Sequence, residues 1–218
     1  MRVIITGTTG MIGEGVLIEC LNNPEIKEVL SVSRKPTGKS HPKLKEYIVT
    51  DFLSLKEDDL LLKGYDACFF CAGISAIGKT EEEYRKVTYD TTLHFAKVLN
   101  PNPEMSFIYV SGGGRDSTEK GRMMWARVKG KTENDLAKLP FKQTFGFRIG
   151  FVQPAAGQQH VLKSYRYISW LFPVIKALLP FMYNTMQQVT NAMIYTAQNG
   201  YAGNTIYVKD IHKINRHK

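Results

Sequence analysis

The sequence predicts an α/β protein: a doubly wound parallel sheet of about six to seven strands, with a small helical C-terminal extension. Three observations carry this expectation. Short β-branched apolar runs alternate with stretches whose apolar residues recur at helical spacing. The first run, residues 3–5, leads directly into Gly7, Gly10 and Gly13 at a G-x-x-G-x-x-G spacing. Ile12, Val16, Leu17, Cys20 and Leu21 then follow at helical spacing. Strand, glycine turn and helix thus come in the order that a phosphate-cradling turn requires.

The remaining elements follow in order. Glu28–Ser33 reads as the second strand, residues 47–49 as a short third and residues 67–71 as the fourth. Thr80 and Glu83 form a capping box for a helix running to about Leu99, and Pro101 and Pro103 stop it. Residues 107–110 are the fifth strand, followed by Ser111 and the run Gly112, Gly113, Gly114. A helix over residues 123–139 ends at Pro140, and residues 145–149 give the sixth strand. Beyond Gly150 the pattern loosens. Ile168, Leu171, Phe172, Ile175, Leu178, Leu179 and Met182 share one helical face, which Pro173 and Pro180 divide into two short helices. With only Lys163, Arg166 and Lys176 on its polar side, that face is expected to pack on the domain or to meet a second copy in a homodimer, rather than to lie in a membrane interface. Residues 187–199 read as a further helix and residues 205–208 as a last strand at the sheet edge. Residues 1–155 therefore form the sheet domain. Residues 156–218 form a helical, substrate-side extension packed on the same domain.

A chain of 218 residues suffices for one domain with a full core. The net charge of +9 includes a basic tail, residues 212–218, read as solvated. No basic run is interleaved with aromatics, so no specific nucleic-acid partner is expected. No apolar run reaches the roughly 18 residues of a membrane span, and no secretory signal is visible. Three cysteines give no disulfide framework and suit a reducing cytoplasm. Cys68 and Cys71 form a C-x-x-C, but positions three apart in a strand face opposite ways, so both read as buried structural thiols. No metal is expected.

The glycine turn points to a dinucleotide. One glycine allows the tight turn, one lets backbone approach the pyrophosphate, and one lets the helix pack closely on the strand. Gly7, Thr9, Gly10, Met11, Ile12 and Gly13 are the expected contacts. An NAD site carries an acid after the second strand to hold the ribose 2′-hydroxyl. Here Ser33, Arg34 and Lys35 stand in that place, and a guanidinium suits a 2′-phosphate, so NADP is expected over NAD. Asp51–Phe52 either meets the adenine or begins a turn. Cys71, Ala72 and Gly73 either pass the cofactor's sugar or form a tight turn.

Together these features resemble the short-chain dehydrogenase/reductase superfamily in its atypical branch, including the NAD-dependent epimerase-like proteins. The opening residues 5–13 look like that branch's T-G-x-x-G-x-x-G, and Tyr109-Val110-Ser111 looks like its Y-V-S. Val128-Lys129-Gly130 and Phe147-Arg148-Ile149-Gly150 look most like the Tat-interacting-protein type of oxidoreductase, where the stretches read V-K-G and R-P-G. The resemblance implies a Rossmann-type fold and a Tyr-x-x-x-Lys pair, in which the lysine binds the nicotinamide ribose and lowers the tyrosine pKa. It makes Lys129 the ribose ligand and Ser111 the group that positions a substrate oxygen. At the tyrosine's place, however, stands Trp125, whose indole N–H donates a hydrogen bond but exchanges no proton at usable pH. Three readings remain: another proton source such as Tyr84, Tyr89 or a water on Ser111, a reaction needing no side-chain acid, or cofactor binding without turnover. Arg115 and Asp116 could gate entry, and Gln158, Gln159 and His160 lie where the superfamily builds its substrate pocket. The expected function is an NADP-dependent oxidoreductase or epimerase-like enzyme acting on a small carbonyl or hydroxyl compound. The alternative is a non-catalytic NADP(H)-binding regulatory or scaffold protein.

Overall fold

The computed structural model describes residues 1–114, 116–161, 170, 172 and 178–216. Its strands, in chain order, are β1 (Arg2–Thr6), β2 (Glu28–Ser33), β3 (Leu44–Ile48), β4 (Ala67–Phe70), β5 (Ser106–Val110), β6 (Gln143–Arg148), β7 (Phe151–Gln153), β8 (Tyr183–Thr185) and β9 (Thr205–Tyr207). Seven of them form one parallel sheet in the order β3-β2-β1-β4-β5-β6-β9. β7 and β8 pair separately, also in parallel. The helices are α1 (Met11–Asn22), α2 (Glu81–Arg85), α3 (Thr91–Val98), α4 (Met124–Leu136), α5 (Met186–Asn199) and α6 (Val208–Arg216).

Strand alternation builds two cores. Val3 and Ile5 of β1 join Val16 and Leu17 of α1 and Val189 and Met193 of α5 on one face. Ile4 points the other way, into a cluster with Phe70, Phe95, Phe107 and Leu136. The doubly wound expectation is thereby met. The chain winds outward from β1 to β3 on one side and from β4 to β9 on the other. The strand order reverses between β1 and β4, and a crevice opens at the carboxyl ends of such a pair.

The helix expected from Thr80 to Leu99 begins with the capping box, Thr80 Oγ accepting from Glu83 N–H and Glu83 from Thr80 N–H. A π-helical turn, Lys86–Asp90, splits it into α2 and α3. β3 starts three residues earlier than the apolar run suggested, because an edge strand with exposed Lys45 and Glu46 shows little hydrophobic signal. β7 and β8 are three residues each, too short to leave a periodic signature. The solvated tail is a correction. Its first part belongs to α6, which buries Val208, Ile211 and Ile214 at intervals of three and turns Lys209, Lys213 and Arg216 outward.

Most of the two short helices expected around Pro173 lies outside the described residues. Of the described residues there, Phe172 is buried, whereas Trp170, Leu178 and Phe181 are largely exposed. Cys68 joins one core while Cys71 packs against the other, which holds Cys20, and all three are free thiols. The two thiols of the C-x-x-C do face opposite ways, but only Cys68 is buried; Cys71 is half-buried at the end of β4 and borders a cleft.

Candidate functional site

The glycine turn leaves β1 at the switch point, and its glycines divide the work. Gly7 adopts φ +69°, and a Cβ there would lie 2.7 Å from the Ala72 nitrogen and 2.8 Å from the Cys71 carbonyl carbon. The turn after β1 and the end of β4 therefore touch backbone to backbone, fixed further by Ala72 N–H donating to Thr6 Oγ1 at 3.2 Å. A Cβ on Gly13 would sit 2.1 Å from the Gly7 carbonyl oxygen, so α1 can cross the turn this closely only with glycine there. Gly10 is different. A Cβ there meets only the Gly7 oxygen at 3.4 Å, which leaves it open on the outer side. Gly10 N–H donates to Gly7 O at 2.9 Å, and Gly10 caps α1 without a side-chain acceptor. The first N–H groups of α1 thus face the crevice with the positive end of the helix dipole.

Gly7, Thr9, Gly10, Ser33, Arg34, Phe52, Cys71, Ala72 and Gly73 line one cleft of about 270 Å³ at this crevice. All nine were singled out from the sequence. Met11 and Ile12 open α1 beside it, with Ile12 packed against the first core. Ser33 is buried and its hydroxyl donates to Lys35 O at 2.6 Å, which shapes the loop so that Arg34 and Lys35 project into solvent. Asp51 lies outside the lining. Its Oδ1 accepts Leu53 N–H at 2.9 Å and its carbonyl accepts Ser54 Oγ at 2.7 Å, the turn-starting role of the two considered. No Cβ contact limits Gly73, consistent with backbone exposed to a ligand.

Ser111, Trp125 and Lys129 group at the end of β5. Lys129 Nζ donates to the Ser111 carbonyl at 2.6 Å. Burial lowers the Lys129 pKa, and the nearby Glu133 carboxylate opposes that shift. The Ser111 side chain is fully enclosed, with the Gly112 and Phe147 carbonyls at 3.4 and 3.5 Å, long contacts at the limit of hydrogen bonding. Gly112 and Gly114 adopt φ +72° and +82°, and a Cβ on Gly114 would meet the Trp125 ring at 2.7 Å. The indole is therefore packed on the glycine loop.

The two tyrosines named as alternative proton sources differ in their surroundings. Tyr84 is buried, which raises its pKa. Tyr89 donates to Asp135 Oδ2 at 2.7 Å and opens onto a different cleft with Arg85, Arg127 and Lys131. Asp116 is held by its own loop, accepting from Thr118 and Gly121. Arg115 lies outside the described residues.

A group the sequence reading passed over is Glu14, in the first turn of α1. Its side chain is 1% exposed. It accepts the backbone N–H groups of Gln159 and His160 at 3.1 and 2.5 Å, and pairs with Lys39 Nζ and His160 Nδ1, each at 2.9 Å. Burial alone would raise its pKa, but the N–H donors and Lys39 outweigh this and lower it. Gln158 Nε2 donates to Met11 O at 2.6 Å, fastening the same loop to the helix. His160 and Gln158, considered for the substrate pocket, are thus tied to α1. An acid beside a turn meant for phosphates was the available signal. Such a charge is tolerable there only when cations and N–H groups neutralise it.

A family model described as NAD dependent epimerase/dehydratase family matches residues 3–112, the span from β1 through the start of the Gly112 loop. Among curated relatives, Leucinostatins biosynthesis cluster protein T of Purpureocillium lilacinum is 32% identical over 143 residues, covering 64% of this chain and 52% of that protein. Protein FMP52, mitochondrial, of Meyerozyma guilliermondii is 30% identical over 156 residues, covering 69% of this chain and 64% of that protein. The chain thus spans between half and two thirds of the length of these relatives. Relatives from Emericella nidulans and Debaryomyces hansenii also carry the name mitochondrial. The cytoplasmic expectation is overturned by these names: few cysteines argue against disulfides but do not identify a compartment. Among solved structures, a UDP-N-acetylglucosamine 4-epimerase from Methanobrevibacter ruminantium M1, in complex with UDP-N-acetylmuramic acid, superposes with a TM-score of 0.68 at 16% identity, covering 94% of this chain and 76% of that one. MoeE5 in complex with UDP-glucuronic acid and NAD gives 0.64 at 19% identity, covering 100% and 82%. At these identities the likeness concerns the fold.

Proposed function

Because the chain belongs to the NAD dependent epimerase/dehydratase family, we propose that it binds a nicotinamide dinucleotide in the β1–β4 crevice, NADP in preference to NAD, and acts as an oxidoreductase or epimerase-like enzyme on a small carbonyl or hydroxyl compound. The observation that carries the reading is the glycine cradle. Gly7 and Gly13 have no room for a Cβ, while Gly10 is open toward the cleft beside an uncapped helix N-terminus. That is the shape and polarity a pyrophosphate needs. Gly7, Thr9, Gly10, Met11, Ile12 and Gly13 hold the pyrophosphate. Arg34 and Lys35 meet the 2′-phosphate, with Ser33 shaping their loop, and Phe52, with Asp51 behind it, flanks the adenine side. Cys71, Ala72 and Gly73 border the sugar.

Lys129 holds the nicotinamide ribose and is already aligned by the Ser111 carbonyl. Ser111 Oγ, enclosed here with only long contacts, reaches a substrate oxygen once the adjoining Gly112–Gly114 loop shifts aside. Trp125 orders the glycine loop and can donate a hydrogen bond to substrate, but it supplies no proton. When bound, the nicotinamide ring supplies or accepts a hydride. The proton then has to come from substrate or solvent, which restricts the reaction to substrates needing little acid assistance. The same feature supports a second reading, a protein that binds NADP(H) to change a partner surface without turnover.

NADPH consumption against a panel of small carbonyl compounds, for wild type and Trp125→Tyr, separates the two. Activity in the wild type supports the enzyme. Activity that only Trp125→Tyr shows supports an intact site without its acid, hence the binding protein. Silence of both, with NADPH bound, removes the oxidoreductase reading.

A further inference from the structure

The net charge is unevenly placed. Residues 1–135 contain nineteen Lys or Arg and nineteen Asp or Glu, while residues 136–218 contain ten cations and the single acid Asp210. The whole surplus of nine therefore lies in the last 83 residues. The same part of the chain carries a concentration of exposed apolar surface. Trp170 is 73% exposed, Leu178 72% and Phe181 64%, with Leu179 and Met182 also open. Among the described residues elsewhere, Leu60 and Leu61 sit beside Glu57, Asp58 and Asp59, and Ile48, Ile77, Val87 and Met123 are exposed singly.

The structure brings the two features of the C-terminal part together. Phe181 and Met182 lie in the 3-10 turn Pro180–Met182, against which α6 packs. His212 of α6 bonds the Tyr183 carbonyl at 2.8 Å, immediately after that turn. α6 buries Val208, Ile211 and Ile214 and leaves Lys209, Lys213 and Arg216 on its outer side. An apolar turn that exposes Phe181 and Met182 thus adjoins a helix with a cationic outer side. This pairing suits the boundary between lipid headgroups and acyl chains, where aromatic side chains insert and Lys and Arg meet anionic headgroups. A second copy of the chain fits poorly. A two-fold contact through this face would set the α6 cations of one copy near those of the other.

We propose that this face docks the protein peripherally on a bilayer surface bearing anionic headgroups, with Leu178 and Phe181 entering the headgroup region and Lys209, Lys213 and Arg216 resting over it. No helix among the described residues is long and apolar enough to cross a membrane, so the contact is superficial. The proposal is independent of the cofactor and of any turnover.

The test is co-sedimentation of the full chain with vesicles of phosphatidylcholine alone and of phosphatidylcholine mixed with phosphatidylserine. The expected result is pelleting with the mixed vesicles, weakened about tenfold or more on plain phosphatidylcholine or in molar salt, where charge is screened within roughly 3 Å. Leu178→Asp with Phe181→Asp, both at exposed positions, should abolish pelleting while leaving the melting temperature in place. Lys213→Glu with Arg216→Glu should remove the dependence on phosphatidylserine. Failure to pellet with the mixed vesicles overturns the proposal. So does pelleting that the exposed-apolar variant retains. A dimer in light scattering that Phe181→Asp dissolves, without vesicle binding by the wild type, would assign the face to a second copy instead.

Discussion

Replacing Glu14 by alanine tests how the loop after β7 is held to the cofactor helix. The substitution strands the backbone N–H groups of Gln159 and His160, which donate to its carboxylate at 3.1 and 2.5 Å, and releases Lys39. An unsatisfied buried donor costs about 1–3 kcal/mol. Both donors sit in a part-buried loop that water can partly reach, so a total of about 2–4 kcal/mol is expected rather than the full sum. For a chain of this length that corresponds to a fall in melting temperature of roughly 4–16 °C. Lys39→Ala leaves the buried carboxylate its N–H donors and should cost less than Glu14→Ala, about 1–2 kcal/mol. Urea unfolding followed by far-UV circular dichroism measures both. The Glu14 pKa is lowered from its ordinary 4.5 on folding, so its contribution is complete above that value and is lost as pH falls through the lower folded value. The gap between wild type and Glu14→Ala should therefore narrow in acid. A Glu14→Ala variant within about 0.5 kcal/mol of wild type at neutral pH, or a gap that widens as pH falls, would refute the reasoning.

Three further outcomes follow from the same geometry. Gly13→Ala forces a methyl to 2.1 Å from the Gly7 oxygen and should cost about 1–3 kcal/mol in urea melts together with NADPH binding. Gly10→Ala, with its nearest contact at 3.4 Å, should keep stability within about 1 kcal/mol yet weaken NADPH at least tenfold in a fluorescence titration. Burial raises all three thiols, Cys71 to about 12, so a thiol reagent at pH 8 should find no fast-reacting cysteine in the folded protein and three after unfolding in guanidinium.

The parts legible in the sequence were those with a local physical cause. A β-branched run, three glycines and a helical stripe specify the β1–α1 unit because the turn geometry itself excludes side chains at Gly7 and Gly13. Thr80 and Glu83 announced their helix because a capping box is made within four residues. The π-helical turn at Lys86–Asp90 was not legible, since no residue type marks it. β7 and β8 owe their pairing to a partner some thirty residues away, and three-residue strands carry no period. Glu14 was missed for a similar reason. Its meaning depends on Lys39 and on the 159–160 backbone, which only the fold brings to it. α6 was masked because its apolar residues were divided: Val208 read as the end of a strand and Ile214 as part of a basic tail, until the structure showed Val208, Ile211 and Ile214 facing inward together.

The central claim is that the crevice between β1 and β4 holds NADP through Arg34 and the glycine cradle. Titration of the purified protein with NADPH and NADH, in wild type and Arg34→Ala, tests it most directly. The account predicts NADPH bound at least about tenfold more tightly than NADH, a margin of about 1.4 kcal/mol that one charge-assisted contact can supply, with Arg34→Ala bringing the two together. Equal binding of NADPH and NADH by the wild type would contradict the reading of Arg34, and binding of neither would contradict the cradle itself.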